Sequence, residues 1–175
     1  MPGNSFIKFD GIAEGESLQK SNPGSAGWVE IADWSWDIEA EHSAFKGTGA
    51  AVGKPTPGTL SFSHYFDNTS AEIMNRIVQG THFPVVTIQM LKQTGGAQPV
   101  VYFEVVMGSA FITKVSTKGA EDGSLNQDVE MVFKEIIVGY KPQDNKGGLG
   151  VTIPFAWNVP KMLNAAPDLD KVKKL

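Results

Sequence analysis

Between residues 28 and 39 the side chains change character at almost every step: Trp34, Trp36 and Ile38 share one parity, and Asp33, Ser35, Asp37 and Glu39 share the other. Successive side chains of a strand point to opposite faces, so this alternation predicts a strand with an aromatic face and a polar face. Trp34, Trp36 and, further on, Phe62 are the expected core anchors. Upstream the parity drifts, because Val29 and Ile31 fall on odd numbers, and a β-bulge near Ala32 would account for it. Similar runs predict strands at 6–9, 59–66, 85–92, 100–107, 111–117, 128–140 and 153–158. In the longest of these, 128–140, the parity changes near Lys134 and Glu135. Gly95-Gly96 marks a hairpin between 85–92 and 100–107.

One segment has helical spacing instead. In 69–80 the apolar residues Ile73, Met74, Ile77 and Val78 form a stripe, Thr69 and Glu72 stand at capping-box spacing, and Gly80 is placed for the stop. Seven or eight strands and one helix of about three turns predict a mainly β fold, a closed or nearly closed antiparallel barrel with the helix at one side or end. Residues 12–27 read as a loop. Residues 40–58, with Gly47, Gly49, Gly53, Pro55, Pro57 and Gly58, read as a flexible arm too long for an ordinary connection. An arm of this kind is either an insertion or a segment that orders against a neighbouring subunit. We assign 1–158 to one domain and 159–175 to a C-terminal tail, loosely ordered.

The chain has 175 residues, enough for one sizeable core, and 41% are hydrophobic, which separates it from disordered sequences. Its 15 basic and 19 acidic side chains give a net charge of -4, without the clustered basic face that nucleic acid requires. The absence of cysteine excludes a disulfide framework and any thiolate metal site. The first residues lack the pattern of a signal peptide, and no apolar run approaches the roughly 18 residues of a membrane span. The expectation is a chain without a membrane anchor, made in the cytosol and exported only by an unconventional route.

Candidate chemistry is sparse. His42, His64 and His82 show no metal-ligand spacing; His64 shares a strand face with Leu60, Phe62 and Phe66 and reads as a core or interface histidine. Gly53-Lys54 invites a phosphate-loop reading, but that motif needs glycine where Thr48 stands, Ser or Thr where Pro55 stands, and a following helix. No G-x-S-x-G elbow and no calcium loop is present. We therefore expect no enzyme activity and no cofactor. A hydrolase built on His64 and nearby carboxylates is the weakest of the readings left open.

An ordered set of short motifs resembles the Hcp family, the tube-forming proteins of bacterial type VI secretion systems. They are Phe6-Ile7-Lys8, Gly15-Glu16-Ser17, Trp34-Ser35-Trp36, Gly53-Lys54 after the glycine-rich arm, Ser61-Phe62-Ser63-His64-Tyr65-Phe66-Asp67 and Gly80-Thr81-His82. Tyr102-Phe103, Thr113-Lys114-Val115-Ser116, Tyr140 and Trp157-Asn158 complete the set, which spans most of residues 4–158. The stretch after Asn158 and the elongated loop around 21–27 depart from the family pattern. The resemblance implies a two-sheet β-barrel with one side helix, six copies in a ring, and rings stacked into a hollow tube. That tube would be expelled by a contractile sheath, tipped by a spike protein, and loaded with small effector proteins. A phage-type tail tube is the alternative. The resemblance also puts Ser35 toward the lumen. With its parity neighbours this makes Asp33, Ser35 and Asp37 the cargo-contact candidates, and His42, Phe45, Lys46, Gly49, Val52 and Lys54 of the arm the ring-stacking candidates.

Overall fold

The computed structural model describes residues 4–43, 51–144, 148–166 and 169. Among the described residues eleven strands and one α-helix follow in order: β1 (Ser5–Phe9), β2 (Trp28–Ile31), β3 (Asp33–Ser35), β4 (Ile38–Ser43), β5 (Ala51–Pro57), β6 (Leu60–Tyr65), α1 (Ser70–Gln79), β7 (Phe83–Lys92), β8 (Val100–Gly119), β9 (Leu125–Val132), β10 (Glu135–Tyr140) and β11 (Ile153–Asn158). All pairings are antiparallel. One sheet runs β2-β1-β7-β8-β10-β11 and the other β8-β9-β6-β3.

Strand β8 belongs to both sheets. Its first half pairs with β7 and β10, and its second half, from Phe111, pairs with β9. The sequence read it as two strands, because the alternation breaks between them. The break is a corner: Ser109 takes φ 51°, a left-handed conformation that side chains rarely adopt, and the chain turns there without losing its pairing to the β9–β10 side. Gly108 precedes it, and its carbonyl accepts from the Lys134 N–H at 3.0 Å, which fixes the matching corner on the partner strand. The parity change near Lys134 is this corner.

The drift around Ala32 has a different cause from the expected bulge. β2 pairs with β1 and β3 pairs with β6, so the single residue Ala32 carries the chain from one sheet to the other. Its N–H donates to Ser63 O at 2.8 Å, and the two ends of the strand order are thereby joined through the chain. Residues 28–39 are thus three elements, each with its own register.

The core lies between the sheets. Ile7, Phe9, Ile31, Leu60, Phe62, Phe83, Ile88, Met107 and Met131 are buried there, and Phe9 meets Phe62 at 6.0 Å and Phe83 at 4.8 Å between ring centroids. Ile73 carries α1 into this core and Ile77 packs against it, whereas Val78 is 86% exposed and lies off the stripe. Residues 73 and 77 are one turn apart and share a face, while 78 is rotated away from them.

The helix start also differs from the expected box. Thr69 makes no side-chain cap to Glu72; instead the Asp67 carboxylate accepts from Thr69 N–H at 2.9 Å and from the Thr69 hydroxyl at 2.6 Å. Ser70 Oγ accepts in return from Asp67 N–H at 3.0 Å. The reciprocal arrangement is a capping box moved two residues upstream. Gly80 ends the helix in the left-handed region at φ 67°, as its position predicted. Asp67→Ala is expected to cost about 1 kcal/mol, as for other lost caps. Glu72→Ala removes only the helical ion pair to Arg76 and should cost a few tenths. Urea unfolding of the two variants checks the assignment, which fails if Glu72→Ala is the more damaging.

Candidate functional site

Strands β3, β6 and β9 lie side by side, with Asp33 opposite Ser63, Ser63 opposite Asp128, Ser35 opposite Ser61 and Ser61 opposite Glu130. Strand parity sends these side chains to one face, away from the core, while Trp34, Phe62 and Val129 point inward from the same three strands. The result is a polar wall with a shallow hollow lined by Asp33, Ser35, Ser61, Ser63, Asp128 and Glu130.

The wall is cross-braced. Ser35 Oγ and Ser61 Oγ lie 2.8 Å apart, and Ser63 Oγ donates to Asp128 at 2.6 Å. From β8, Lys118 reaches Asp128 at 3.1 Å and Lys114 reaches Glu130 at 3.8 Å. The Ser63 hydroxyl, with Lys118 beside it, holds the Asp128 carboxyl below the usual carboxylate range. Lysines thus stand beside two of the wall's three carboxylates, Asp128 and Glu130, and not beside Asp33 among the described residues.

Behind the wall, Trp34 stacks on Phe103 at 5.6 Å, and Trp36 lies near Phe133 at 5.9 Å and Phe155 at 6.5 Å. Both indoles are half-buried against the core, and Phe62 is fully within it. His64 is buried beside Phe62 and bonds through Nε2 to Gln127 Oε1 at 2.8 Å, an internal tie between β6 and β9. Among the described residues no cluster of three or more potential ligands stands where it could hold a metal ion.

The structure brings Asp33 and Ser35 together on the wall, but Asp37 stands apart from them. β3 ends at Ser35, and Asp37 sits at the foot of the next element, where its carbonyl accepts from Gly58 N–H at 2.9 Å. Its carboxylate occupies the space that a Cβ on Gly58 would need. Alternation alone had placed all three in line, and it missed Ser61, Ser63, Asp128 and Glu130, which register with β3 only once the strands are paired.

The described parts of the glycine-rich arm are strands rather than loop: β4 and β5 pair with each other and, among the described residues, with neither sheet. Gly53 permits its closest approach: a Cβ there would lie 2.8 Å from Glu41 O. Ile38, Glu39, Ala40, Glu41 and Lys54 are exposed. His42 and Val52 are backbone partners in the ladder. Phe45, Lys46 and Gly49 lie outside the described residues. No helix among the described residues is long and apolar enough to cross a membrane.

The family model for the type VI secretion system effector Hcp matches residues 6–140. The protein hcp1 of Pseudomonas aeruginosa is 29% identical over 163 residues, covering 91% of this chain and 97% of that protein. Among solved structures, Hcp1 from Salmonella typhimurium is 27% identical with a TM-score of 0.73, covering 93% of this chain and 98% of that one. A type six secretion system protein superposes with a TM-score of 0.82 at 24% identity, covering 91% and 97%, a likeness of fold. These matches do not favour the phage-type alternative. The chain belongs to the type VI secretion system Hcp family, whose members form hexameric rings and are secreted, and it is a structural subunit of the secretion tube rather than an enzyme.

Proposed function

We propose that the wall of β3, β6 and β9 faces the lumen of the tube and is the surface that cargo touches. The observation that supports this most is the Ser35–Ser61 bridge at 2.8 Å, set in a wall where Lys118 and Lys114 stand beside Asp128 and Glu130. Such a surface hydrates well and binds weakly, which suits a conduit that must release what it holds. Among the described residues this sheet has two unpaired edges, β3 and the second half of β8. Contact between unlike edges of neighbouring copies closes a ring and removes both exposed edges. Tyr140, Ile153 and Phe155 are exposed on the core-facing side of β10 and β11 and offer apolar area to a neighbour.

The β4–β5 hairpin serves ring stacking in this reading. An isolated two-stranded hairpin is at best marginally stable in water, so it needs a surface to rest on. Pro55 and Pro57 remove two N–H donors from β5, which discourages stray strand pairing. Small effector proteins in the lumen, a spike protein at the tip and a contractile sheath outside are its partners, and the chain resides in the cytoplasm before expulsion.

Ser35→Gln is expected to keep the fold and the ring, because Ser35 is exposed, and to reduce the effector that copurifies with the ring by obstructing the wall. Effector recovered in unchanged amount with intact Ser35→Gln rings would rule out the lumenal role.

A further inference from the structure

The loop between β1 and β2 and the stretch after Asn158 build surfaces at opposite ends of one hairpin. At the β7–β8 turn, the loop that follows β1 presents Leu18, which is 96% exposed, beside Ala97, Gln98 and Pro99. The loop is not slack: Gly15 N–H donates to Gly24 O and Gly24 N–H to Ser17 O, each at 2.8 Å, and buried Asn22 donates to Gln89 at 2.9 Å. Leu18 is therefore held out in water by a braced loop. Glu30 lines the same hollow with Lys20, and its Oε1 is buried with no hydrogen-bond partner among the described residues.

The C-terminal segment builds the other surface. After β11 the chain reverses, with Asn158 N–H donating to Leu163 O at 2.8 Å, and lays Ala166 and Leu169 over Val106 and Ile137 on the outer side of the larger sheet. Gly108 leaves the room: a Cβ there would lie 3.2 Å from Leu169 Cδ2. Beside Leu169 remains a hollow of about 230 Å³ whose lining mixes Pro84, Val85 and Pro160 with Lys134, Lys161 and the buried Glu135, which Asn158 holds by a hydrogen bond. A hollow of that volume has room for a leucine side chain, which would rest on Pro84, Val85, Pro160 and Leu169. Lys134 and Lys161 are exposed and form no ion pair among the described residues. Val85 and Lys92 are seven residues apart on β7, so the two surfaces are separated by roughly 23 Å along the strand.

We propose that Leu18 of one copy seats in the hollow beside Leu169 of a second copy, with Glu30 facing Lys161 and Lys134. The contact is head to tail, so it propagates from copy to copy, and it rests on the tube reading above. Glu30 gains cationic partners, and Leu18 leaves water.

The chain contains no cysteine, so a disulfide test is free of background. The full-length double variant Gln98→Cys with Pro160→Cys, which keeps Leu18, Glu30, Lys134 and Lys161 in place, is expected after assembly and oxidation to give a ladder extending beyond dimers on a non-reducing gel. Neither single variant should give one, since each surface meets its opposite and not itself. Both residues are exposed, so the fold is retained. Annular particles without a ladder would overturn this contact and leave the tube reading standing. Ladders from a single variant would also overturn it. Absence of both particles and ladder would overturn the two together.

Discussion

Phe62→Ala should lower the unfolding free energy by about 3–5 kcal/mol, the usual loss for a large aromatic removed from a core. Phe62 is 2% exposed, stands between Trp34 and Val129 in the strand register, and meets Phe9 and His64. Its neighbours belong to four strands tied by backbone hydrogen bonds, so they cannot collapse into the space left behind. Domains of this kind have about 5–15 kcal/mol in total, so the variant approaches the limit of folding. Chemical denaturation should show a midpoint far below the parent with the slope retained. A loss under about 1 kcal/mol would mean that the small sheet is held by something other than this packing.

Gly24→Ala should open the loop between β1 and β2. A Cβ on Gly24 would lie 2.4 Å from Gly15 O and 2.9 Å from Ser17 N, both backbone atoms that cannot rotate away. Gly15 meets the same constraint from the other side, with Trp28 O at 2.3 Å from its ideal Cβ. The expected cost is about 1–3 kcal/mol if the loop strains and stays, as for overpacked cores. If it lets go, the amides of Gly15 and Gly24 lose their protection from hydrogen exchange while those of β7 and β8 keep theirs. Unchanged protection at Gly15 and Gly24 together with unchanged stability would contradict the close approach. The same variant should weaken the Leu18 contact, because the brace behind that leucine is gone.

These two sites differ in how far the sequence announces them. Phe62 sits in a clean alternation with Leu60 and His64, and a two-residue period is local information. The close approach of Gly15 and Gly24 is not local in that sense: either glycine reads as an ordinary loop residue until the chain is folded back on itself. The same division runs through the molecule. The helix, its glycine stop and most strands follow from periodicity. Ala32 defeated it because one residue between two sheets looks like a bulge within one strand. The hairpin at β4–β5 was hidden by its composition, since the glycines and prolines that permit its close, edge-protected ladder are also the residues that break strands. Asp67 was overlooked as the cap because Thr69 and Glu72 satisfy the same spacing rule. On the wall, Asp33 and Ser35 were visible, while Ser61, Ser63, Asp128 and Glu130 lie 26 or more residues away and join them only through pairing.

The account stands on the direction in which the β3–β6–β9 wall faces once copies assemble. A cryo-electron microscopy reconstruction of the purified protein decides it. The expected result is a closed ring with Ser35, Ser61 and Asp128 lining the central hole and the aromatic layer of Trp34 and Phe62 behind them. A ring that turns this wall to the outside, or a protein that remains monomeric at assembly concentrations, would contradict it.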